Sequence, residues 1–317
     1  MKRNSLLFSL AFLGVLFALP ARAVTLRYAL KKGAEITYKV QVAAASRMSG
    51  PGGDKMGMNS TIESIYRVKV LNILPSGEME IEKAAIGGKV KMTAEGKDHE
   101  SDMPKGKSYF KLSPLGKITA LPKKETKDAP APSEAESGDS EEANQPALEM
   151  SGLGLVGANA QMDMLTDATF LPLPEKAVKA GDTWEFEISS AGMALPMPAS
   201  KAEERPKVKG KSELVELLDY KGRKCAHIKT RYELPVSSDR SDAEMGIKVT
   251  VNGKVAGAID WYFDYENSCT PSATGSLQML MKMTTELPPE MAEEMPAEIS
   301  GENVMSMKAN AKTSLEK

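Results

Sequence analysis

The sequence predicts a mainly β chain made of two related antiparallel curved-sheet units, half-barrel or barrel-like, with one or two short helices. Three observations lead there. Apolar and polar residues alternate with a period of two over long stretches, two regions of the chain resemble each other, and an acidic stretch lacking branched aliphatic or aromatic residues separates them. The alternation is clearest at the end of the chain. There Met305, Met307, Ala309, Ala311, Thr313 and Leu315 interleave with Ser306, Lys308, Asn310, Lys312, Ser314 and Glu316. One apolar and one polar face is the mark of an antiparallel sheet with a wet side.

Taken in order, residues 1–23 read as a secretory leader. Lys2 and Arg3 precede an apolar run from Leu6 to Leu19, and Ala21-Arg22-Ala23 is a small-residue cleavage site. The run is shorter than the roughly 18 to 20 residues of a membrane span, so the expectation is an exported, periplasmic or secreted chain with no integral span after cleavage. The first β unit is expected over 24–122, where Ile36, Tyr38, Val40 and Val42 alternate with Thr37, Lys39 and Gln41. Residues 123–147, KKETKDAPAPSEAESGDSEEANQPA, cannot bury enough apolar surface to offset the cost of ordering them and are expected to form a disordered linker. The second unit, 148–317, begins with a helix candidate at 157–168, ended by Pro172 and Pro174. A second, weaker candidate spans 288–299 and is broken by Pro296.

The internal similarity pairs Leu30–Val40 with Val178–Ile188, each placing a Lys and a Gly before a strand. It also pairs Val68–Lys83 with Leu214–Lys229, each a strand, a turn with Gly77 or Gly222, and a return strand. Tyr109-Phe110 and Tyr262-Phe263 then fall in late strands of each unit.

Composition narrows the function. The chain has 317 residues, 26% of them charged, and a formal net charge of −2. Without the leader 38 basic residues face 43 acidic ones, which argues against nucleic acid as a partner. Two histidines and two cysteines leave little material for acid–base, thiol or metal chemistry, and no G-x-S-x-G elbow, phosphate loop or HExxH helix occurs. The chain therefore reads as no enzyme, with no cofactor. His99 lies in the charged run Lys97–Asp102, read as a hairpin end, and His227 shares a strand face with Cys225 without the knuckle spacing of a zinc site. Cys225 and Cys269, an even pair in an oxidising compartment, are expected to form a disulfide or to be structural and buried. Trp184, opening a strand after the Gly181-Asp182 turn, is expected as an anchor against which a ligand could also rest.

Methionine is the anomaly, with 20 against 7 phenylalanines. Met279, Met281, Met283, Met305 and Met307 fall on apolar strand faces beside Ala309 and Ala311. Such a face is either plain core or the lining of a pliable apolar pocket. The run from Met48 to Met58 offers a third reading, thioether binding of copper.

The unit LPEKAVKAGDTW (Leu173 to Trp184), followed by Gly222-x-x-Cys225-x-x-Ile228 and Tyr262-Phe263-Asp264, resembles an uncharacterised family of exported bacterial proteins. The strands after Tyr262-Phe263-Asp264 also look like the curved antiparallel sheet of periplasmic lipoprotein carriers of the LolA and LolB type. That likeness implies a concave face that takes acyl chains. A glycine commonly follows the Tyr-Phe-Asp strand in such families, and Asn267-Ser268-Cys269 stands here in its place. The resemblance carries no catalytic residues. The resulting expectation is a non-catalytic envelope protein that binds a lipid, a lipoprotein acyl chain or another apolar ligand, against a structural or protein-interaction module without one.

Overall fold

The computed structural model describes residues 23–50, 55–94, 96–103, 105–121, 170–189, 207–242, 247–288 and 301–316. The leader up to residue 22, the linker at 123–147, the helix candidate at 157–168 and all but the first residue of the candidate at 288–299 lie outside them. Within the described residues every element is a strand.

In chain order these are β1 (Glu35–Ser49), β2 (Lys55–Ile73), β3 (Met79–Ala94), β4 (Lys97–Asp102), β5 (Gly106–Leu112) and β6 (Ile118–Ala120). They continue as β7 (Thr183–Ser189), β8 (Lys207–Tyr220), β9 (Arg223–Asp242), β10 (Ile247–Asp264), β11 (Cys269–Glu286) and β12 (Gly301–Leu315). All twelve belong to one antiparallel sheet that does not close, ordered β6-β5-β3-β2-β1-β12-β11-β10-β9-β8-β7. Thus the two expected units are two halves of a single sheet. Their seam is the β1–β12 pairing, which runs from Tyr38 opposite Leu315 to Ser49 opposite Val304. On the edge away from β2, the long β3 has two partners, β5 along its first half and β4 along its second. His99 lies on β4, where every residue is exposed and charged or polar. A charged edge of this kind discourages pairing with another chain.

Ring contacts show that the sheet is curled. Phe110 on β5 meets Phe170, Phe170 meets Tyr28, and Tyr28 meets Phe263 on β10, with centroid separations of 5.9, 5.5 and 5.2 Å. Six strand spacings would put β5 and β10 about 29 Å apart in a flat sheet. The three ring steps cannot span that distance, so one face is concave. Tyr28 belongs to a segment, residues 24–30, that crosses the base of this concave side beside residues 170–178. Val24 and Val178 exchange backbone hydrogen bonds of 2.8 and 2.9 Å, Tyr28 N donates to Pro114 O at 2.9 Å, and Leu173 N donates to Leu115 O at 2.9 Å. Arg27 donates to the carbonyls of Pro174 and Glu175. Leu26, Tyr28, Phe170, Leu171 and Leu173 are all buried there, and each such side chain contributes about 1.5–3 kcal/mol relative to exposure.

The two halves repeat one hydrogen-bonded corner. Gly33 N donates to Val70 O at 2.9 Å, Val70 N returns to Ala34 O at 3.0 Å, and Ala34 N donates to Lys31 O at 3.0 Å. In the other half Gly181 N donates to Leu214 O at 2.7 Å, Leu214 N returns to Asp182 O at 3.0 Å, and Asp182 N donates to Lys179 O at 3.0 Å. Both corner glycines have left-handed φ, 80° and 88°. The register then slips in each half directly after the partner residue, between Val70 and Asn72 and between Leu214 and Glu216. These bonds align Val70, rather than Val68, with Leu214. The face is unchanged, because a shift of two is the strand period.

Gly116 shows how tightly the base is packed. Its φ is +84°, and a Cβ there would lie 2.4 Å from Leu171 O and 3.0 Å from the Tyr28 ring, whereas Gly222, at φ +77°, has open space around it. Urea unfolding should therefore show Gly116→Ala destabilised by about 2 kcal/mol or more and Gly222→Ala by only about 1 kcal/mol. Equal losses at the two positions would contradict this packing of residues 170–173.

Candidate functional site

Register turns the concave face into lateral rows of side chains. Residues directly opposite on neighbouring strands point to the same side, so each pairing extends a row. One row above Phe263, the face reads Leu214, Ile228, Trp261, Ala273, Thr313, Val40 and Ser64 from β8 across to β2. All seven residues are buried. The polar atoms at this level are satisfied: Trp261 Nε1 donates to Thr230 Oγ1 at 3.0 Å, and the Thr230 and Ser212 hydroxyls lie 2.8 Å apart.

Two rows higher the face changes character. Small residues dominate, with Gly210 on β8, Gly257 on β10, Ala309 on β12, Ala44 on β1 and Ser60 on β2. Aromatic rings occupy the space over the glycines. A Cβ on Gly210 would fall 2.1 Å from the Phe186 ring, and one on Gly257 would fall 2.2 Å from the Tyr232 ring. Rings laid over strand glycines shield the backbone while keeping the wall thin. Burial also pushes the Tyr232 phenol up to about 12, as expected of an apolar surround.

Above this level come the methionines. Met279 lies opposite Met307 and Met281 opposite Met305, so four of the five methionines singled out from the sequence form two adjacent pairs between β11 and β12. Met283 continues the same face, opposite Asn303. The rows extend further than the sequence reading reached: Met48 on β1 is opposite both Met305 and Met56, and Ser46 is opposite both Met307 and Met58. Burial falls along the way. Val40 and Val42 are 0% and 1% exposed, Met279, Met281 and Met307 are 6–8% exposed, and Met48, Met283 and Met305 are only half-buried. Leu280, the one break in the β11 alternation, points to the other face and is 58% exposed.

Trp184 is not part of this group. It sits on the edge strand β7, four strands from β11 and lower on the face, where its Nε1 donates to Pro172 O at 3.1 Å. The structure gives it an anchoring role between β7 and the segment crossing the base.

Cys225 and Cys269, for which a bridge and a buried structural role were both open, are two free buried thiols in this structure. Both pair with Asp264, from β9 on one side and β11 on the other. That places them about two strand spacings, roughly 10 Å, apart, where a bridge needs Cα atoms within about 7 Å. Asp264 between them is fully buried. It accepts hydrogen bonds from Asn267 N and Nδ2 at 2.9 Å, Glu266 N at 3.1 Å and the Arg223 guanidinium at 2.9 Å. Burial alone would raise its pKa; the Asn267 side chain and backbone, then Arg223, outweigh it and hold the carboxyl below its usual range. This hub shapes the turn that contains Ser268. Ser268 takes a left-handed φ of 56°, and its hydroxyl donates to Arg27 O at 3.1 Å.

His227 faces the convex side. Its Nε2 lies 2.6 Å from Asp260 and its Nδ1 lies 3.4 Å from Glu216, with the ring stacked on Tyr262, itself stacked on Tyr220. Cys225 thus serves the Asp264 hub and His227 this separate cluster. Among the described residues no group of three or more His, Cys, Asp or Glu side chains could hold a metal. A convex groove of about 430 Å³ lies alongside, lined by Lys229, Arg231, Asp260 and Thr274, and its floor includes Gly275.

No protein-family model and no curated protein matches the chain, so the likeness of the LPEKAVKAGDTW unit rests on its residues alone. Among solved structures the chain is similar to lipovitellin, in a structure described for its lipid–protein interactions, with 10% identity, a TM-score of 0.42 and 91% of this chain covered. It spans about a quarter of the lipovitellin chain, 25%. An outer membrane channel of Pseudomonas putida F1 is similar at 8% identity and a TM-score of 0.27, covering 91% of this chain and 97% of that one. DynF of Micromonospora chersina is similar at 10% identity and a TM-score of 0.22, covering 92% and 85%.

Two measurements check the Asp264 hub. A carboxylate whose folded pKa is depressed contributes stability that is complete above its unfolded value, about 3.9, and is lost as pH falls through the folded value. Acid unfolding of the chain should accordingly steepen below about pH 4. Asp264→Asn should be less stable at neutral pH by about 2 kcal/mol or more and lack that component; an unchanged acid limb in the variant would remove the hub from the account. For the thiols, burial raises Cys225 to about 12 and Cys269 to about 11. Maleimide at pH 8 should label neither in the folded chain and both after unfolding without reductant. Failure to label after unfolding would instead reveal a bridge.

Proposed function

We propose that the chain is a non-catalytic, exported envelope protein that holds an apolar ligand, such as a lipid or a lipoprotein acyl chain, along the upper part of its concave face. One observation carries this reading: a continuous apolar wall runs from a base closed by Tyr28 and Phe170 up to a rim where the same face is only half-buried. A filled structural core would be expected to keep its apolar side chains dry along the whole face. Here Met283, Met305 and Met48 retain exposed apolar area at the rim, and unbranched, polarizable methionine adapts to ligands of varied shape. Phe186 and Tyr232, set over Gly210 and Gly257, carry the apolar lining through the middle of the face. Along this face the polar groups are chiefly hydroxyls such as Ser46, Ser60 and Ser64, together with Lys83, whose ammonium lies 5.3 Å from the centre of the Tyr66 ring. Most cross-strand ion pairs lie on the convex side, where pairs such as Lys39–Glu63, Lys254–Glu233 and Lys282–Glu302 cross neighbouring strands.

The purified mature chain should take up cis-parinaric acid saturably, at about one molecule per chain. Met281→Asp and Met307→Asp should weaken uptake roughly tenfold or more, because a carboxylate on this wall must be desolvated when the chain of the ligand lies against it. Tyr220→Ala, on the convex side, should leave uptake unchanged. Uptake that does not saturate, or that folded trough variants share with the parent, would sink the proposal and leave a structural module of the envelope.

A further inference from the structure

We propose that Met48, Met56 and Met305 form a thioether site for a soft monovalent cation, Cu(I), at the rim of the concave face. The site follows from register. Met48 on β1 is directly opposite Met56 on β2 and directly opposite Met305 on β12. All three therefore project from the same face, on three contiguous strands, with neighbouring Cβ atoms about 4.5–5.5 Å apart. Methionine is unbranched, with three rotatable bonds before the terminal methyl, so three thioethers so placed can turn onto one ion. A fourth row member, Met281, lies against Gly253 instead: its Cγ is 2.9 Å from where a Gly253 Cβ would be.

The chemistry of this donor set selects the ion. Thioethers are soft, neutral ligands suited to Cu(I), whereas divalent zinc, magnesium and calcium require imidazole, thiolate or oxygen donors. The described residues bring no group of three such side chains together, while three methionines share one row at the rim. Met305 packs against the edge of the apolar core, but burial at this row is incomplete. Met56 is 46% exposed and Met48 and Met305 are half-buried, and at such positions methionine gives up more side-chain entropy than leucine when ordered. Exposure is, however, what an incoming ion requires. The more deeply buried Met279 and Met307 lie one row down, beneath this set. Binding needs no change of oxidation state and no proton release, since a thioether carries no titrating proton.

This site stands independently of the trough. The test is anaerobic titration of the whole mature chain, labelled with methionine bearing a 13C methyl, against Cu(I) presented as its bicinchoninate complex. The expected result is transfer of about one Cu(I) per chain, with methyl shifts at Met48, Met56 and Met305. Met48→Leu and Met305→Leu, which conserve volume and so the fold, should each lower the affinity roughly tenfold or more. Met279→Leu should leave it unchanged. Copper that stays with the chelator, that shifts other methyls, that binds through Cys225 or Cys269, or that binds Met48→Leu undiminished would overturn the proposal. None of these results bears on parinaric acid uptake, so the two proposals fail separately.

Discussion

Everything above the base depends on how Tyr28 is held. A sheet of twelve strands with two free ends has no internal reason to keep a fixed curvature, since its twist is tolerant. Here one tyrosine on a segment outside the sheet contacts Phe170 and Phe263, donates its hydroxyl to Leu171 O, and has its backbone bonded to Pro114. These contacts tie the β5–β6 end of the sheet to β10 through the middle of the molecule. The space thus filled is the lower concave face, and its filling leaves the upper face unpaired with any described strand.

The seam between β1 and β12 is the second consequence. Because the first and last strands are neighbours in the centre of the sheet, residues more than 250 positions apart share rows. Methionines from the opening and the end of the chain therefore meet on one wall, and the same wall carries both the apolar trough and the rim sulfurs. Repetition of the Gly33 and Gly181 corners, each followed by a bulge, gives both halves the same entry into the sheet and places their hairpin turns at the same end. Loop closure at that end leaves long strands to run toward the other, where burial falls away.

Much of this was legible in the residues. The period-two alternation of β1, β11 and β12 assigned each side chain to its face, and the shared Lys-Gly corners were visible as a repeat because they require a left-handed glycine at the same place. An even count of cysteines left a bridge and a buried structural role open for Cys225 and Cys269, and only the intervening strand carrying Asp264 decides between them. Trp184 was singled out for its size and polarity, yet its neighbours are set by an edge strand and Pro172. Gly210 and Gly257 did carry a signal that went unused: a glycine interrupting an alternating strand often marks a ring lying across it.

By itself, then, the sequence determined the local pattern: which residues extend, which face each occupies, and where turns need glycine. These are properties of neighbours along the chain, and a period of two suffices to express them. Only the tertiary structure decided which strands stand side by side and at what offset. Register between β1, β2 and β12 is fixed by packing across the concave space and by the segment through the base, and that register alone makes Met48, Met56 and Met305 one site rather than three separate methionines.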